Sequence, residues 1–175
     1  PPPSYAAVPG PENFVSTNPG TDTYSTHDQD TSTYDFYYDS TSSAIAAVLA
    51  TRVTGVTTDY DEKTLEIWVQ ESEWDDTAPY SDGDVNPDMT QALADAFLLD
   101  GTDNDVYDWV AGVYGEEWGA EAGAYSNTVP ETDTITILLY AIPTQGQTGP
   151  GGIVGFFWAK DNYLRSEFNY SNERV

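Results

Sequence analysis

Residues 63–74 read KTLEIWVQESEW, and their spacing decides what the rest of the chain has to build. Leu65, Ile67 and Val69 alternate with Glu66, Trp68 and Gln70, which predicts a strand with one aliphatic face and one mixed face. The next stretch, DDTAPYSDGDVNPD, is turn chemistry. It closes with Asn86 placed to cap a helix and Pro87 at its first position, where a missing N–H costs nothing. Met89, Leu93, Ala96 and Phe97 then fall at i, i+4, i+7 and i+8, the expected inner face of a helix ending near Asp100-Gly101. Thr102 and Asp105 make a capping-box-like start for a second helix. Val106, Trp109, Val110 and Val113 supply its apolar stripe, and Gly115 supplies its stop. After a loop rich in glycine and acids comes TITILLYAI (134–142), a nearly continuous apolar run of strand length that Pro143 terminates.

A strand, a helical crossover and a second apolar strand make a βαβ unit, so Leu65–Val69 and Ile135–Tyr140 should run parallel with a right-handed crossing. The fold class is therefore mixed α/β or α+β, a twisted mixed sheet with a helix-pair crossover. Upstream, TSTYDFYYD (31–39) and SAIAAVLATRVTGVTTDY (43–60) carry the aromatic and β-branched residues of two more strands, interrupted at Ser40–Ser43 and Gly55. SAIAAVLA is also compatible with a turn or two of helix. Residues 1–30 are rich in Pro, Ser and Thr with little apolar period and read as an extended or disordered arm. That leaves 31–175 as one domain, with 31–63 a β-rich lead and 64–175 the main scaffold. GGIVGFFWAKDNY (151–163) predicts a further strand, with Phe156 and Trp158 on one face and Phe157 on the other, and SNERV (171–175) opens another element.

The chain carries 30 acidic residues against five basic ones, a formal charge of -25. Nucleic acid and anionic membranes would be repelled, and Arg52, Lys63, Lys160, Arg165 and Arg174 are too scattered to offset this. At 39% hydrophobic and 14% aromatic the chain is nonetheless too apolar to stay unfolded. Such acidity suits a saline or calcium-rich exterior, where repulsion is screened within about 3 Å at 1 M salt. An extracellular or cell-surface location is expected. There is no cysteine, and no apolar run approaches the roughly 20 residues of a membrane span.

Motifs that would carry chemistry are few. The sequence holds no H-E-x-x-H, G-x-S-x-G, Walker loop or dinucleotide fingerprint, and its one histidine, His27, lies in the arm, where it reads as a solvated group. Asp100, Asp103 and Asp105 in DGTDND place oxygen ligands at 1, 4 and 6, close to calcium-loop chemistry without the spacing or distal Glu of an EF-hand. The plainer reading is a turn in which these residues cap the second helix. Asp82, Asp84 and Asp88 are a weaker case of the same kind. Trp68, Trp74, Trp118 and Trp158 would suit sugar stacking if exposed and core packing if buried.

TQALADAFLLDGTDNDVYDWVAGVYGEEWG (90–119), DTITILLYAI (133–142) and GGIVGFFWAKDNYLRSEFNYSNERV (151–175) together resemble the N-terminal half of the catalytic region of secreted zinc metallopeptidases of the hyicolysin type. The likeness runs from Thr64 to Val175 and, more weakly, back to Thr31. It implies the upper subdomain of a zincin, with a cleft-lining edge strand and a zinc-binding H-E-x-x-H helix a short way past Val175. Val175 itself would fall inside the strand before the metal site. Zinc is the cofactor of an intact relative, yet no ligand for it stands in these 175 residues. Hydrolysis by the chain alone is therefore not expected.

On this resemblance the substrate is a peptide or protein, bound in extended form along Gly155, Phe156, Phe157 and Trp158 by main-chain hydrogen bonds. A reading of a different class is a surface or filament-forming protein whose copies join through the arm and an edge strand. A calcium- or carbohydrate-binding module is the third.

Overall fold

The computed structural model describes residues 33–37, 44–99, 105–116, 127–129, 132–142 and 159–173. Four strands and two helices follow one another as β1 (Thr33–Tyr37), β2 (Ala44–Thr57), β3 (Glu62–Gln70), α1 (Pro87–Phe97), α2 (Val106–Tyr114) and β4 (Thr134–Leu139). They form one sheet in the order β1-β2-β3-β4. The pairs β1–β2 and β2–β3 are antiparallel, whereas β3–β4 is parallel, with Leu65 opposite Ile135 and Ile67 opposite Ile137. The parallel pair joined through two helices is the βαβ unit expected from the alternation in 65–69. The fold is α+β with a mixed sheet.

β2 is a continuous strand of 14 residues, so the helical alternative for SAIAAVLA is not adopted. It bends at two places where its register against β3 shifts, between Leu49 and Thr51 and between Val53 and Val56. Gly55 sits in the second bulge at φ 70°, a left-handed conformation in which a side chain would be strained. The interruption read at Gly55 is thus a bend within one strand.

The helices cover one face of the sheet. Val56, Leu65, Ile67 and Ile135 meet Ala94, Leu98, Tyr107 and Ala111 in the main core, with Leu93, Phe97, Ile137 and Leu139 packed around them. Of the face expected for α1 only Leu93 and Phe97 pack on the core, and α2 presents a different face from the one its apolar spacing suggested. In α1 the buried residues are Thr90 and Ala94, while Met89 is 56% exposed and Ala96 points to solvent. In α2 the buried residues are Tyr107 and Ala111, and the whole predicted stripe of Val106, Trp109, Val110 and Val113 is exposed. The inner face of each helix carries an alanine, a side chain small enough to let the helix approach the strands closely. Thr90 adds a directional reason, since its hydroxyl accepts a hydrogen bond from Thr51 of β2 at 2.8 Å.

The start of α1 and the stop of α2 are where the sequence placed them, whereas α1 ends at Phe97, short of Asp100-Gly101, and α2 takes Asp105 as its N-cap in place of Thr102. Asn86 Oδ1 accepts from the Met89 amide ahead of Pro87. Gly115, at φ 87°, ends α2 with its amide on Ala111 O. Lys63 then reaches past this C-terminus to Glu116 at 3.3 Å.

The opposite face of the sheet holds a smaller aromatic core of Phe36, Ala47 and Trp68, joined by Tyr34, Ile45, Leu49 and Leu138. Phe36 and Trp68 meet edge to face, with centroids 5.5 Å apart. Against β1 lies the final described segment, 159–173. Its residues Ala159–Asn162 form a short 3₁₀ turn, so the end of the strand expected over 151–163 is helical. Ser171–Glu173 has no regular structure.

Candidate functional site

Gly155, Phe156, Phe157 and Trp158, expected to line a peptide cleft, lie outside the described residues, as do Asp100, Asp103, His27, Trp118 and the arm over 1–30. What the structure does place is the framework on either side of them. β4 is the last strand of the sheet among the described residues, and its end is pinned to β3. Gln70 Oε1 accepts the Ala141 amide at 3.1 Å, carrying the β3–β4 pairing past the last ladder residue.

Asp105 is described, and it works as the helix cap. Its Oδ1 accepts the Asp108 amide at 2.8 Å, and its Oδ2 accepts the Leu99 amide at 2.7 Å. The residue is only 7% exposed. One carboxylate therefore ties the end of α1 to the start of α2, the capping role expected of Asp105. Asp82 and Asp88 are exposed, and Trp68 is 1% exposed, which makes it a core residue and no sugar platform.

The densest polar chemistry lies where 159–173 meets β1, and sequence reasoning did not single it out. Asn172 uses its side-chain amide as a substitute strand. Tyr37 N donates to Asn172 Oδ1 at 2.7 Å, and Asn172 Nδ2 donates to Tyr37 O at 3.1 Å. A single side chain thereby satisfies both outward backbone groups of Tyr37 at the edge of the sheet. Lys160, 3% exposed, donates to Tyr37 O, to Tyr170 O at 2.8 Å and to Asp161 Oδ1. Asp161 Oδ1 also accepts the Asn172 amide.

Arg165 completes the knot. It donates through Nε to Ser171 O at 3.0 Å and through Nη2 to Tyr34 Oη at 2.8 Å, and it lies 5.6 Å from the Tyr37 ring centroid. Burial works against its charge. The Tyr34 oxygen that accepts its hydrogen bond, together with Glu173 and Tyr37, offsets that cost, so the guanidinium is held above its ordinary range. The loop that brings these groups together turns through left-handed residues at Tyr170 (φ 62°) and Glu173 (φ 53°), conformations uncommon for side chains of this size.

A second buried ionic group sits beneath the sheet. Glu66, 4% exposed, receives Arg52 Nη2 at 2.8 Å on Oε1 and Trp68 Nε1 at 2.9 Å on Oε2. Arg52 and Glu66 are direct cross-strand partners, so the ladder itself aligns the pair. All four basic residues in the described parts, Arg52, Lys63, Lys160 and Arg165, are engaged in ion pairs or hydrogen bonds of this kind. The one available signal was their rarity, since five cations in so acidic a chain are few enough for each to have a structural task.

A catalytic zinc needs about three nitrogen, sulfur or carboxylate ligands converging with an open position. These residues do not supply that. The chain has one histidine and no H-E-x-x-H, and among the described residues no group of three or more His, Asp or Glu side chains could hold a metal ion. The metal chemistry is therefore not derivable from the described framework.

No helix among the described residues is long and apolar enough to cross a membrane. Neither a curated protein nor a solved structure matches the chain. A family model does, over residues 42–175, which takes in β2, β3, both helices, β4 and the 159–173 side of the polar knot. With the helix-crossed parallel pair and the order of its elements already in place, that match establishes that the chain belongs to the peptidase M30 family.

Proposed function

We propose that this chain is the peptide-facing scaffold of an extracellular metallopeptidase, and that residues 1–175 by themselves bind peptides without hydrolysing them. The family match across 42–175 carries the reading, because it spans β2, β3, β4 and the crossover that would present a substrate. The scaffold takes its peptide in extended form along Gly155–Trp158 through main-chain hydrogen bonds. With a formal charge of -25, neutral or basic peptides are favoured over acidic ones. Zinc belongs to the family's chemistry, and no step of the binding is assigned to it.

Amide hydrogen exchange with and without a saturating basic peptide tests the proposal, with mass spectrometry of the peptide run alongside. The expected result is protection confined to 155–158 and an intact peptide. Cleavage by the purified chain, or protection mapping to the β1 edge instead, overturns it.

A further inference from the structure

The outward side of α2 does not match a surface helix of an acidic protein. Val106, Trp109, Val110, Val113 and Tyr114 are 47%, 67%, 51%, 71% and 83% exposed. They cover one broad arc of the helix, and Tyr107 and Ala111 on the adjoining arc are buried in the core. A helix at a protein surface normally turns a polar face outward, whereas one that is apolar on both sides belongs inside a larger assembly. Leu99, 44% exposed, extends the patch at one end, and Tyr60 extends it alongside, its hydroxyl donating to Ala111 O at 2.9 Å.

Charge selects the occupant. Between Asp105 and Gly115 only Asp105 and Asp108 are charged, and both Asp105 oxygens are bound to backbone amides. A chain with 30 acidic residues has kept this face almost free of them. A basic partner would find few acidic groups there to pair with, so the complement is another largely uncharged apolar surface. The same face on a second copy has that chemistry and is self-complementary about a two-fold axis. The five α2 side chains expose about 600 Å², taking roughly 150–250 Å² for a whole aromatic side chain. That is as large as the biggest apolar patch of an ordinary monomer, about 300–600 Å². It falls somewhat below the roughly 800 Å² per partner of a standard stable interface, the size of a reversible contact.

We infer that α2 is a self-association face, and that two copies of the chain pair through Val106, Trp109, Val110, Val113 and Tyr114 in a salt-dependent dimer. At low ionic strength two bodies of charge -25 repel one another and the chain is monomeric. As the Debye length falls from about 10 Å at 0.1 M to about 3 Å at 1 M, repulsion is screened and burial of the apolar face prevails. The interface is distinct from the sheet edge proposed for peptides, so either can fail without the other.

Sedimentation velocity of the full chain across a sodium chloride series tests this. The expected result is a monomer at low salt and a dimer at high salt, with the dissociation constant falling by about tenfold or more over the range. Val113→Glu, at a position already 71% exposed, should leave far-UV circular dichroism unchanged and weaken the dimer by more than about tenfold, because symmetry introduces the charge twice. Ser72→Glu adds the same charge at the end of β3 remote from Lys63 and α2, and should leave the dimer intact. A chain that stays monomeric at about 1 M salt overturns the inference, as does a dimer weakened equally by both substitutions.

Discussion

The two faces of the sheet are held by different physics. On the helix side, Leu65 and Ile67 sit at 0% exposure among aliphatic side chains and alanines, and the attraction is non-directional burial. On the other side a small aromatic core is framed by Glu66 with Arg52 and by the knot of Lys160, Arg165 and Asn172, where each contact depends on distance and angle. The aliphatic face tolerates reshaping as long as its volume is conserved. The polar face fixes where 159–173 lies on β1, because a bond network has one geometry in which all its members are satisfied.

The contrast is sharpest if substitutions on the two sides fail differently. Leu65→Ala or Ile67→Ala should cost the most, about 3–4 kcal/mol in urea unfolding, with loss of cooperativity across the whole sheet. Arg52→Ala removes two bonds to a buried carboxylate and should cost about 2 kcal/mol, less than the core truncations because Arg52 is itself partly exposed. Adding Glu66→Gln should recover part of that loss, since the amide oxygen still accepts from Trp68 Nε1 and no buried charge remains. If the double variant is worse than Arg52→Ala, the ionic pair is not what holds this face.

Asn172→Ala should cost about 1–2 kcal/mol, and locally. Exchange at the Tyr37 amide should speed up while Leu65 and Ile67 stay protected; equal loss at both sites would mean that the two faces unfold as one unit. Asn86→Ala removes the α1 cap and should cost about 1 kcal/mol.

The smallest effect belongs to Asp75, which is partly exposed. Hydrogen bonds from the Ser81 and Thr77 amides hold its carboxylate below the ordinary value of 3.8. A carboxylate depressed in the folded state stabilises above its unfolded value and loses that contribution as pH falls through the folded one. The Ser81 and Thr77 amide shifts should therefore titrate with a midpoint below 3.8, and Asp75→Asn should abolish the titration. Neither face of the sheet should respond.

Most of the framework was legible in local pattern. The alternation of 65–69, the Asn86–Pro87 start, the Gly115 stop and the β-length run at 134–139 each follow from the conformational preferences of a few adjacent residues. The resemblance carried by 90–119 and 133–142 led to the family that the match over 42–175 established. The candidate peptide edge at Gly155–Trp158 remains a reading of sequence, because those residues are not described.

The sequence by itself therefore determined the order of β3, α1, α2 and β4, the start of α1, the stop of α2 and the class of the fold, all of which depend on interactions within a few residues. Only the tertiary structure decided which side of each helix meets the sheet. Both helices carry more apolar positions than one face can bury, and the choice fell on Ala94 and Ala111, whose small size allows close approach, and on Thr90, whose hydroxyl meets Thr51. Tertiary structure also decided the tasks of the rare cations and of Asn172, which bonds to Tyr37 across 135 positions. Contacts at that separation leave no period in the sequence. They arise only when the sheet has brought its first described strand and the last described segment together.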